Sequence, residues 1–343
     1  MKKGILVGFG FMGGMHAQIY RNLREAEIVA VVDTDAATAR AKIEKLGLKA
    51  GHFLSLGEAL AAVEADFVDV CLPTHLHAGA VLEAVAAGKH VFCEKPLAMS
   101  VTEGESMVRA AETAGIIMMA GHCIRFWPEY VALKRLIDSG EAGRLLSLTL
   151  QRRSARPGYT VDNWINDASL SGGAALDLHI HDTDFVLHLL GLPRSVVSQG
   201  TCDHGGWSHI FTRYDFPDGP EVRVEGGWNY PPKWGFQMAF QAIFENGAME
   251  YDSNTVPTTR VTLAEAATRP AELAKAEAGS STLGEGNVSD LGGYFFELTH
   301  FIECLEEGQA PRTSTGRDAF DSLRVTLAEI ESAESGQPTV IQS

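Results

Sequence analysis

A glycine-rich turn near the amino terminus constrains the fold of this chain more than any other feature. The turn, Gly8-Phe9-Gly10-Phe11-Met12-Gly13, follows an apolar run and precedes a segment with helical spacing. Glycines at these positions permit a tight turn, close approach of the backbone to a bound group, and close packing of a helix against a strand. The turn therefore predicts the strand–turn–helix unit with which a doubly wound α/β domain begins.

The residues after this turn alternate short apolar runs with helical patterns, such as those at Glu58 to Val63 and Ala78 to Ala87. Strands that are apolar throughout are typical of a parallel sheet with helices on both faces. We therefore predict an α/β protein whose amino-terminal domain, residues 1–121, is a Rossmann doubly wound parallel sheet. Its predicted strands are Gly4 to Val7, Ile28 to Val32, Phe67 to Leu72, His90 to Cys93 and Ile116 to Ala120.

The second predicted domain, residues 122–343, has a different pattern. After a helix at Pro128 to Ser139, strand-like runs follow one another with turn signals such as Pro217-Asp218-Gly219-Pro220. This succession predicts an α/β domain with a large, mostly antiparallel open sheet, and residues 263–280 are predicted to form an exposed helical or mobile insertion. The remaining predicted elements are the strands Leu145 to Arg152, Ser195 to Thr201, His209 to Phe216, Val222 to Trp228, Phe236 to Phe244 and Ala248 to Tyr251, and the helices Tyr294 to Glu306 and Asp318 to Ser332.

Composition excludes several classes of partner. A net charge of −16 opposes binding to nucleic acid or to an anionic membrane surface. The five cysteines are scattered without a C-x-x-C pair, which is typical of reduced thiols, and no apolar stretch approaches the roughly 20 residues of a membrane span. We predict a cytoplasmic protein that binds a small molecule and forms a homo-oligomer, a dimer or a tetramer, through the free face of the carboxy-terminal sheet.

The glycine turn also predicts a dinucleotide site. The amino terminus of a helix attracts the negative charge of a pyrophosphate. Asp33 ends the second predicted strand, 25 residues after Gly8, where a carboxylate can hold the ribose hydroxyls of an adenosine. Because Asp33 repels a 2′-phosphate and no arginine stands at positions 34 or 35, NAD is predicted as the cofactor. Arg40 keeps NADP open as the alternative.

Two polar segments follow later strands of the first domain. Pro73-Thr74-His75-Leu76-His77 comes after the strand that begins at Phe67, and Cys93-Glu94-Lys95-Pro96 comes after the next predicted strand. Ligands bind at the carboxyl ends of strands in open parallel sheets. Pro96 favours an extended backbone at Lys95, which suits a side chain that points into a cleft, although a surface lysine in a turn fits as well. The cofactor-binding residues predicted here are Pro73, Thr74, His77, Glu94 and Lys95.

A segment in the second domain, Gly172 to Asp184, concentrates two histidines and three carboxylates. On a helix, residues four apart share a face, so Asp177, His181 and Asp184 are expected together while His179 points elsewhere. This spacing disfavours a His-x-His metal pair, and we predict no metal. A polar helix face with satisfied histidines remains the alternative to a catalytic site.

Taken together, these motifs resemble the glucose-fructose oxidoreductase and inositol dehydrogenase family, written Gfo/Idh/MocA. The resemblance implies a nicotinamide cofactor and oxidation or reduction at a carbinol carbon of sugars, cyclitols or related compounds. It also implies a reactive group formed by Lys95, Asp177 and His181. The resemblance is carried by Gly8-x-Gly10-x-x-Gly13-x-x-His16, Asp33, Pro73-x-x-x-His77, Glu94-Lys95-Pro96, Arg125-Phe126, Gly172 to Asp184, and Tyr294-x-x-Glu297-x-x-x-Phe301.

We expect an NAD-dependent dehydrogenase that transfers a hydride between the cofactor and a secondary hydroxyl or carbonyl of a sugar, polyol or cyclitol. His181 is expected as the base for the hydroxyl proton, because an ordinary histidine pKa of about 6.5 suits that role at neutral pH. Lys95 would orient and polarise the oxygen, and Asp177 would contact a neighbouring hydroxyl or orient the other two. The alternatives are an NAD-dependent glycosidase that uses transient oxidation, and a non-catalytic NAD-binding regulator.

Further side chains are predicted to contact the substrate. Trp164 can stack on a sugar face or belong to the core, and His122 follows the last strand of the first domain. Arg125 and Arg153 can bind an acidic substituent or pair with the protein's own carboxylates. His179 stands where many members of the family have glycine, and its purpose is left open.

Overall fold

The computed structural model describes residues 1–158, 160–274 and 292–342, and these form two compact units. Unit 1 contains residues 1–123, 160–164 and 292–320 of the described chain, and unit 2 contains residues 124–158, 165–274 and 321–342. The first boundary lies close to the predicted one. The return of residues 292–320 to unit 1 differs from the prediction, which placed everything after residue 121 in the second domain.

Unit 1 is built on a six-stranded parallel sheet in the order β3-β2-β1-β4-β5-β6. This is the strand order of a doubly wound dinucleotide-binding fold, as predicted. The short edge strand β3 was not predicted, because three residues are too few to show a periodic pattern. The strands are β1 (Lys2–Val7), β2 (Ala26–Val32), β3 (Gly51–Phe53), β4 (Phe67–Val70), β5 (His90–Cys93) and β6 (Met118–Ala120).

Helices cover this sheet, and polar residues start several of them. Asp35, Ser55 and Ser100 each accept a hydrogen bond from a backbone N–H in the first turn of the helix that follows. Such caps satisfy donors that have no partner within the helix. The helices of this part are α1 (Phe11–Asn22), α2 (Ala36–Leu46), α3 (Leu56–Ala62), α4 (His77–Ala86) and α5 (Val101–Thr113).

A helix from the carboxy-terminal part of the chain completes the core of unit 1. The ring of Phe301 lies 5.5 Å from the ring of Phe67 in β4 and 5.5 Å from that of Phe92 in β5, both edge to face. Phe301 is fully buried, and aromatic pairs of this geometry add to the stability gained from burial. Unit 1 therefore needs a helix, Gly292–Glu307, that begins 172 residues after the last strand of its sheet ends at Ala120.

Unit 2 is built on an eight-stranded sheet in the order β13-β12-β11-β7-β10-β9-β8-β14. Its pairs are antiparallel except β7 with β10, which is parallel, so the predicted mostly antiparallel sheet is confirmed. The strands are β7 (Leu145–Ala155), β8 (Ser195–Asp203), β9 (Gly206–Asp215), β10 (Glu221–Tyr230), β11 (Gln237–Phe244), β12 (Gly247–Asp252), β13 (Thr259–Leu263) and β14 (Thr339–Val340).

One face of this sheet packs against helices. Tyr130 makes edge-to-face contacts with Phe185 from a helix and with Phe240 and Tyr251 from the sheet, at ring separations of 4.8 to 5.6 Å. Along β7 the buried side chains alternate with partly exposed ones, as expected for a sheet with one covered face. In chain order the remaining helices are α6 (Pro128–Ser139), α7 (Ala168–Ser171), α8 (Ile180–Leu190), α9 (Gly292–Glu307) and α10 (Gly316–Ser335).

The predicted insertion at 263–280 is only partly within the described residues. Residues 264–274 form turns and irregular backbone without a helix, and an isolated bridge joins Val261 to Arg269. Residues 275–280 lie outside the described part of the chain. Among the described helices, none has the length and apolar character that a membrane crossing requires.

Candidate active site

The glycine turn has the packing that a dinucleotide turn needs. Gly8 has φ +86, and a Cβ there would lie 2.6 Å from the carbonyl oxygen of Cys71. A Cβ on Gly13 would lie 2.0 Å from the carbonyl oxygen of Gly8, whereas a Cβ on Gly10 would meet nothing within 4 Å. The first and third glycines are therefore required by packing. The second leaves open space in which a bound group can approach the backbone.

Helix α1 presents its amino terminus to that space. Within the described chain, no side chain caps the helix at Gly10, and its first turn contains no acidic residue. Backbone N–H groups at an uncapped helix start attract an anion, since they carry the positive end of the helix dipole. The turn and the helix start thus fit a pyrophosphate, and this fit extends over residues Gly8 to Gly13.

Asp33 is held firmly at the carboxyl end of β2. One carboxylate oxygen accepts a hydrogen bond from the backbone N–H of Phe9 at 2.8 Å, and the other accepts from that of Asp35 at 2.9 Å. Lys42 in α2 donates to the carbonyl oxygens of Phe9 and Gly10 at 2.9 and 3.1 Å. Sequence reasoning missed Lys42, because a lysine in a solvated helix gives no signal that it bonds to a turn 32 residues earlier.

His77 fastens two loops to one another. Its Nδ1 lies 2.9 Å from the carbonyl oxygen of Pro96, and its Nε2 lies 2.8 Å from that of Leu72. Burial lowers the pKa of His77, although both carbonyl acceptors act to raise it. Both ring nitrogens are engaged by backbone atoms, and contact of His77 with the cofactor stays a prediction. Pro73 and Thr74 lie beside it at the end of β4, with Thr74 buried.

Glu94 and Lys95 follow β5 and point in different directions. Glu94 is buried, and its Oε2 accepts a hydrogen bond from the backbone N–H of Lys95 at 3.0 Å. Its Oε1 lies 3.2 Å from Nε2 of His16, inside unit 1. Glu94 therefore supports the backbone of Lys95 rather than contacting the cofactor directly, whereas the side chain of Lys95 is partly exposed.

Two further predicted residues belong to unit 1. His122 is fully buried just beyond β6. Trp164 is half-buried in a short helical segment in which Asp162 and Asn163 have φ of 51 and 54. Asp and Asn adopt this left-handed backbone more readily than other side chains do. Contact of His122 or Trp164 with substrate remains a prediction.

In unit 2, the segment Gly172 to Asp184 is not one regular α-helix. Residues Ala175–His179 form a π-helical segment, and α8 begins at Ile180. Gly172 and Gly173 precede it with φ of 75 and 71. A π-helical insertion is rare and occurs often at functional sites. The sequence predicted a helix here but not the insertion, because the spacing of the polar residues is compatible with either hydrogen-bond pattern.

Two carboxylates of this segment are committed to buried arginines. Asp182 accepts from Nε of Arg152 at 2.8 Å, and Asp184 accepts from Nε and Nη2 of Arg125 at 2.7 and 2.8 Å. Ser322 also donates to Asp184, at 2.7 Å. Asp182 and Asp184 are fully buried. The expectation that Asp184 shares a functional face with Asp177 and His181 is therefore wrong.

His179 is also part of the buried interior of unit 2. Its Nε2 lies 3.2 Å from a carboxylate oxygen of Glu329 and 3.3 Å from the hydroxyl of Thr212. Glu329 in turn accepts a hydrogen bond from the hydroxyl of Tyr214 at 2.6 Å. A Cβ on Gly226 would lie 2.7 Å from Nδ1 of His179, so the sheet backbone packs directly on the ring. His179 thus ties the π-helical segment to the sheet.

The remaining polar residues of the segment are Asp177 and His181. Asp177 is partly exposed, and His181 keeps 7% of its surface, whereas His179, Asp182 and Asp184 keep none. The roles of Asp177 and His181 at the substrate stay predictions.

Two family models match most of the chain. Residues 2–122 match the model described as "Oxidoreductase family, NAD-binding Rossmann fold", and residues 130–250 match the "GFO/IDH/MocA C-terminal domain". The chain belongs to the Gfo/Idh/MocA oxidoreductase family. The predicted enzyme class, oxidoreductase, and the predicted NAD-binding domain are thereby confirmed at the level of the family.

Relatives of this Gfo/Idh/MocA chain include a protein named as a hydratase and one named as a dehydrogenase. It is 32% identical over 236 residues to the 2,7-anhydro-N-acetylneuraminate hydratase of Escherichia coli K12, covering 66% of this chain and 62% of that protein. It is 27% identical over 345 residues to the scyllo-inositol 2-dehydrogenase (NAD(+)) of Bacillus subtilis 168, covering 97% and 94% of the two chains. The match to the hydratase thus spans less than two thirds of that relative.

The fold of this family member is also that of a solved structure, a levoglucosan dehydrogenase in complex with NADH and levoglucosan. The two share a TM-score of 0.88 with 20% sequence identity, and the match covers 100% of both chains. At this identity the likeness concerns the fold.

Two arginines that were predicted to bind the substrate form ion pairs with carboxylates. Arg125 forms the bidentate pair with Asp184 described above. Arg153 donates to both carboxylate oxygens of Glu225 at 2.9 and 2.6 Å. Because neighbouring residues of a strand face opposite ways and Arg152 faces α8, Arg153 lies on the other face of the sheet. Both guanidinium groups are thus paired with carboxylates of the same unit, and contact of either with substrate stays a prediction.

Proposed function

We propose that this chain is an NAD-dependent dehydrogenase that oxidises a secondary hydroxyl of a sugar, polyol or cyclitol, or reduces the corresponding carbonyl. The observation that carries this proposal is the division within Gly172 to Asp184. Asp177 is partly exposed and His181 keeps 7% of its surface, whereas His179, Asp182 and Asp184 keep none and contact Glu329, Arg152 and Arg125.

The chain's own residues have distinct roles in this reaction. The turn Gly8 to Gly13 and Asp33 hold the dinucleotide, whose nicotinamide carries the hydride when it is bound. His181 takes the proton of the substrate hydroxyl. Lys95 donates a hydrogen bond to the same oxygen and favours its alkoxide form. Asp177 orients the substrate through a neighbouring hydroxyl.

The preference for NAD rests on Asp33. Its carboxylate accepts backbone N–H groups on both oxygens, so its position at the end of β2 is fixed. A fixed carboxylate binds ribose hydroxyls and repels a 2′-phosphate. We expect kcat/KM with NAD to exceed that with NADP by at least about tenfold, which corresponds to about 1.4 kcal/mol. Equal values with both cofactors would contradict this assignment.

The substrate class follows from the relative that matches over nearly its whole length, a scyllo-inositol 2-dehydrogenase. The decisive experiment measures NADH formation with scyllo-inositol, myo-inositol, D-glucose, D-gluconate and methyl glucosides. K95M and H181N should each lower kcat about 10²- to 10⁴-fold, the usual contribution of a general acid or base, while binding of NAD survives. Turnover by either variant within threefold of the parent would remove that residue from the mechanism.

A reaction without net oxidation is the second candidate, because one relative is named a hydratase. In that case the residues at the hydroxyl would serve a transient oxidation, and NADH would not accumulate. Product formation from an anhydro sugar or a glycoside, followed by mass spectrometry in parallel with absorbance at 340 nm, separates the two. Product without NADH supports the second candidate.

We further propose that unit 2 forms a homo-oligomer through the free face of its sheet. On that face Val197, Phe211 and Ile243 are exposed on separate strands. Apolar side chains among charged pairs are typical of a face that meets a second copy. F211E should lower the molar mass measured by light scattering.

We also propose a cytoplasmic location, since the five cysteines are free thiols, and cell fractionation tests it.

A further inference from the structure

Unit 1 buries an unusual group of polar side chains beneath the glycine turn. We call it the His16 cluster: His16, Asp69, Cys71, Glu94 and Glu297. His16, Asp69 and Glu297 are completely buried, and Glu94 keeps 4% of its surface. Their ligating atoms lie within 4.8 Å of one another in two overlapping groups that share His16. Four separate parts of the chain therefore bring one imidazole and three carboxyl groups together in an otherwise apolar core.

Both nitrogens of the His16 ring face carboxylate oxygens. Nδ1 lies 2.8 Å from Oδ2 of Asp69, and Nε2 lies 3.2 Å from Oε1 of Glu94. Cys71 donates to the second oxygen of Asp69 at 3.4 Å. The contact of Nδ1 with Asp69 is a hydrogen bond, and Nδ1 also lies 3.3 Å from Sγ of Cys71, whereas the contact of Nε2 with Glu94 is an ion-pair distance. An ionised carboxylate only accepts hydrogen bonds, so two carboxylates at the two nitrogens favour a proton on each. The geometry fits an imidazolium.

The charges around His16 agree with this protonation state. Burial lowers the pKa of His16, but the charge of Asp69 and the hydrogen bonds to Asp69 and Cys71 raise it well above its ordinary value. Burial raises the pKa of Glu94, but His16 and then Lys95 oppose it, and the pKa lies below the usual range. Burial and then Asp69 raise the pKa of the Cys71 thiol, and burial and then Glu94 raise that of Cys93. The phenols Tyr20 and Tyr294 also face the cluster, and burial raises their pKa values, followed by Asp69 for Tyr20 and by Cys123 and Glu94 for Tyr294.

Glu94 connects this cluster to Lys95. While Oε1 faces His16, Oε2 accepts the backbone N–H of Lys95 at 3.0 Å. A Cβ on Gly121 would lie 2.9 Å from Cδ of Glu94, so the backbone beyond β6 packs against the carboxylate and leaves it little room to rotate. On the far side, His77 holds the carbonyl oxygen of Pro96. The main chain at Lys95 is thus fixed from both directions.

We propose that His16 is a positioning residue for Lys95: as an imidazolium it holds the Glu94 carboxylate, which in turn holds the main chain of Lys95. This inference depends on the proposed function only in the role that Lys95 has at the substrate oxygen. Removal of the His16 charge leaves two buried carboxylates without their cation, and one of them then takes up a proton or turns away. Because the glycine turn itself is unchanged, binding of NAD should persist while Lys95 loses its fixed position.

The first test reads the protonation of His16 directly. In the full chain labelled with ¹⁵N-histidine, NMR should show one histidine with both ring nitrogens protonated at pH 8. This signal should be absent in H16N and present in H90N. His90 is a suitable control because it stands at the start of β5, and its Nδ1 accepts from the backbone N–H of Ile117. A neutral His16 at pH 7, or one metal ion per chain in the purified protein, would overturn the proposal.

The second test reads the position of Lys95. Asparagine retains a donor at the place of Nδ1, whereas glutamine places one near Nε2, so H16Q should retain more function than H16N. H16N should lower kcat about 100-fold, the effect of a misplacement of about 1 Å, with KM for NAD⁺ within threefold of the parent. Acetylation of Lys95 by acetic anhydride, followed by mass spectrometry of its peptide, should be at least threefold faster in H16N than in the parent or H90N.

The outcomes separate this proposal from the proposed function. Unchanged Lys95 acetylation in H16N would overturn the role of His16, whatever the enzyme oxidises. If scyllo-inositol and the other compounds are not oxidised, but NAD⁺ binds and H16N alters both the NMR signal and the acetylation rate, the positioning role stands. The assignment of the substrate class would then be the one that fails.

Discussion

The two units neutralise buried acids in different ways. In unit 2, Asp182 and Asp184 each face the guanidinium of an arginine at hydrogen-bonding distance. In unit 1, Asp69 and Glu94 face the two nitrogens of a single imidazole. Arginine remains protonated at every accessible pH, whereas histidine changes charge near neutrality. For these four acids the charge balance is permanent at Asp182 and Asp184 and depends on a proton at Asp69 and Glu94.

The largest expected effect comes from breaking a permanent pair. R125M leaves the buried carboxylate of Asp184 without its cation, which costs about 3–5 kcal/mol in the free energy of unfolding. Urea unfolding at pH 7.5, followed by circular dichroism, measures this loss. The double variant R125M/D184L should recover part of it because no isolated charge remains. A loss below about 1 kcal/mol in R125M would show that this pair does not stabilise unit 2.

A smaller effect that depends on pH is expected for H16N. The pKa of His16 is raised in the folded chain, so its contribution to stability is complete below the unfolded value of about 6.5. That contribution is lost as pH rises through the folded pKa. The difference in unfolding free energy between parent and H16N should be about 2 kcal/mol at pH 6 and should shrink as pH rises, while the difference for R125M stays constant. Parallel pH profiles for the two variants would remove the contrast between the units.

Glu225 combines the two kinds of partner, since both an arginine, Arg153, and a histidine, His209, contact it. Burial raises its pKa, but hydrogen bonds from His209 and Arg153 lower it from 4.5 to about 2. Its contribution is therefore present above pH 4.5 and is lost as pH falls toward about 2. E225Q should cost at most about 1 kcal/mol at pH 7, because the site is partly exposed, and parent and variant should converge in acid. Thermal melts from pH 7 to pH 3 test this convergence.

The smallest effect is expected at the surface. Lys134 and Asp138 form an exposed pair one turn apart on α6, with a distance of 2.9 Å. K134A should change the free energy of unfolding by about 0.3–0.5 kcal/mol, an effect that 0.5 M salt reduces further. The same urea experiment measures it. A loss as large as that of R125M would mean that burial does not determine the strength of these pairs.

Local patterns were sufficient to predict most elements of the fold. Strand β4 is buried along its whole length and is apolar except for Asp69, α6 was predicted with the bounds it has, and the turn at Asp218 has φ of 59. These features depend on residues close together in sequence. Strands β3, β13 and β14 were missed. β3 and β14, with three and two residues, are too short to show a period of two, and the five residues of β13 adjoin the predicted insertion.

The candidate site was predictable in part. Lys95, Asp177 and His181 were selected from motifs, and in the structure Asp177 is partly exposed while His181 keeps 7% of its surface. The partners of those neighbours were not predictable, since Asp184 pairs with Arg125, 59 residues away, and Glu329 accepts from Thr183, 146 residues away. No local spacing indicates which of several distant arginines or acids a buried side chain will meet.

Because β7 and β10 are parallel, the connections between strands of unit 2 differ in whether they tolerate an inserted or deleted residue. Parallel neighbours require a crossover connection, and here the chain leaves β7 and crosses the covered face as α7, the π-helical segment and α8 before the strands β8 to β10. A residue added at the turn before Pro220 would extend only a surface loop. A residue removed from Ala175–His179 would rotate α8 against the sheet and separate Asp182 from Arg152. The length of this crossover is therefore fixed, whereas the hairpins beside it are free to vary.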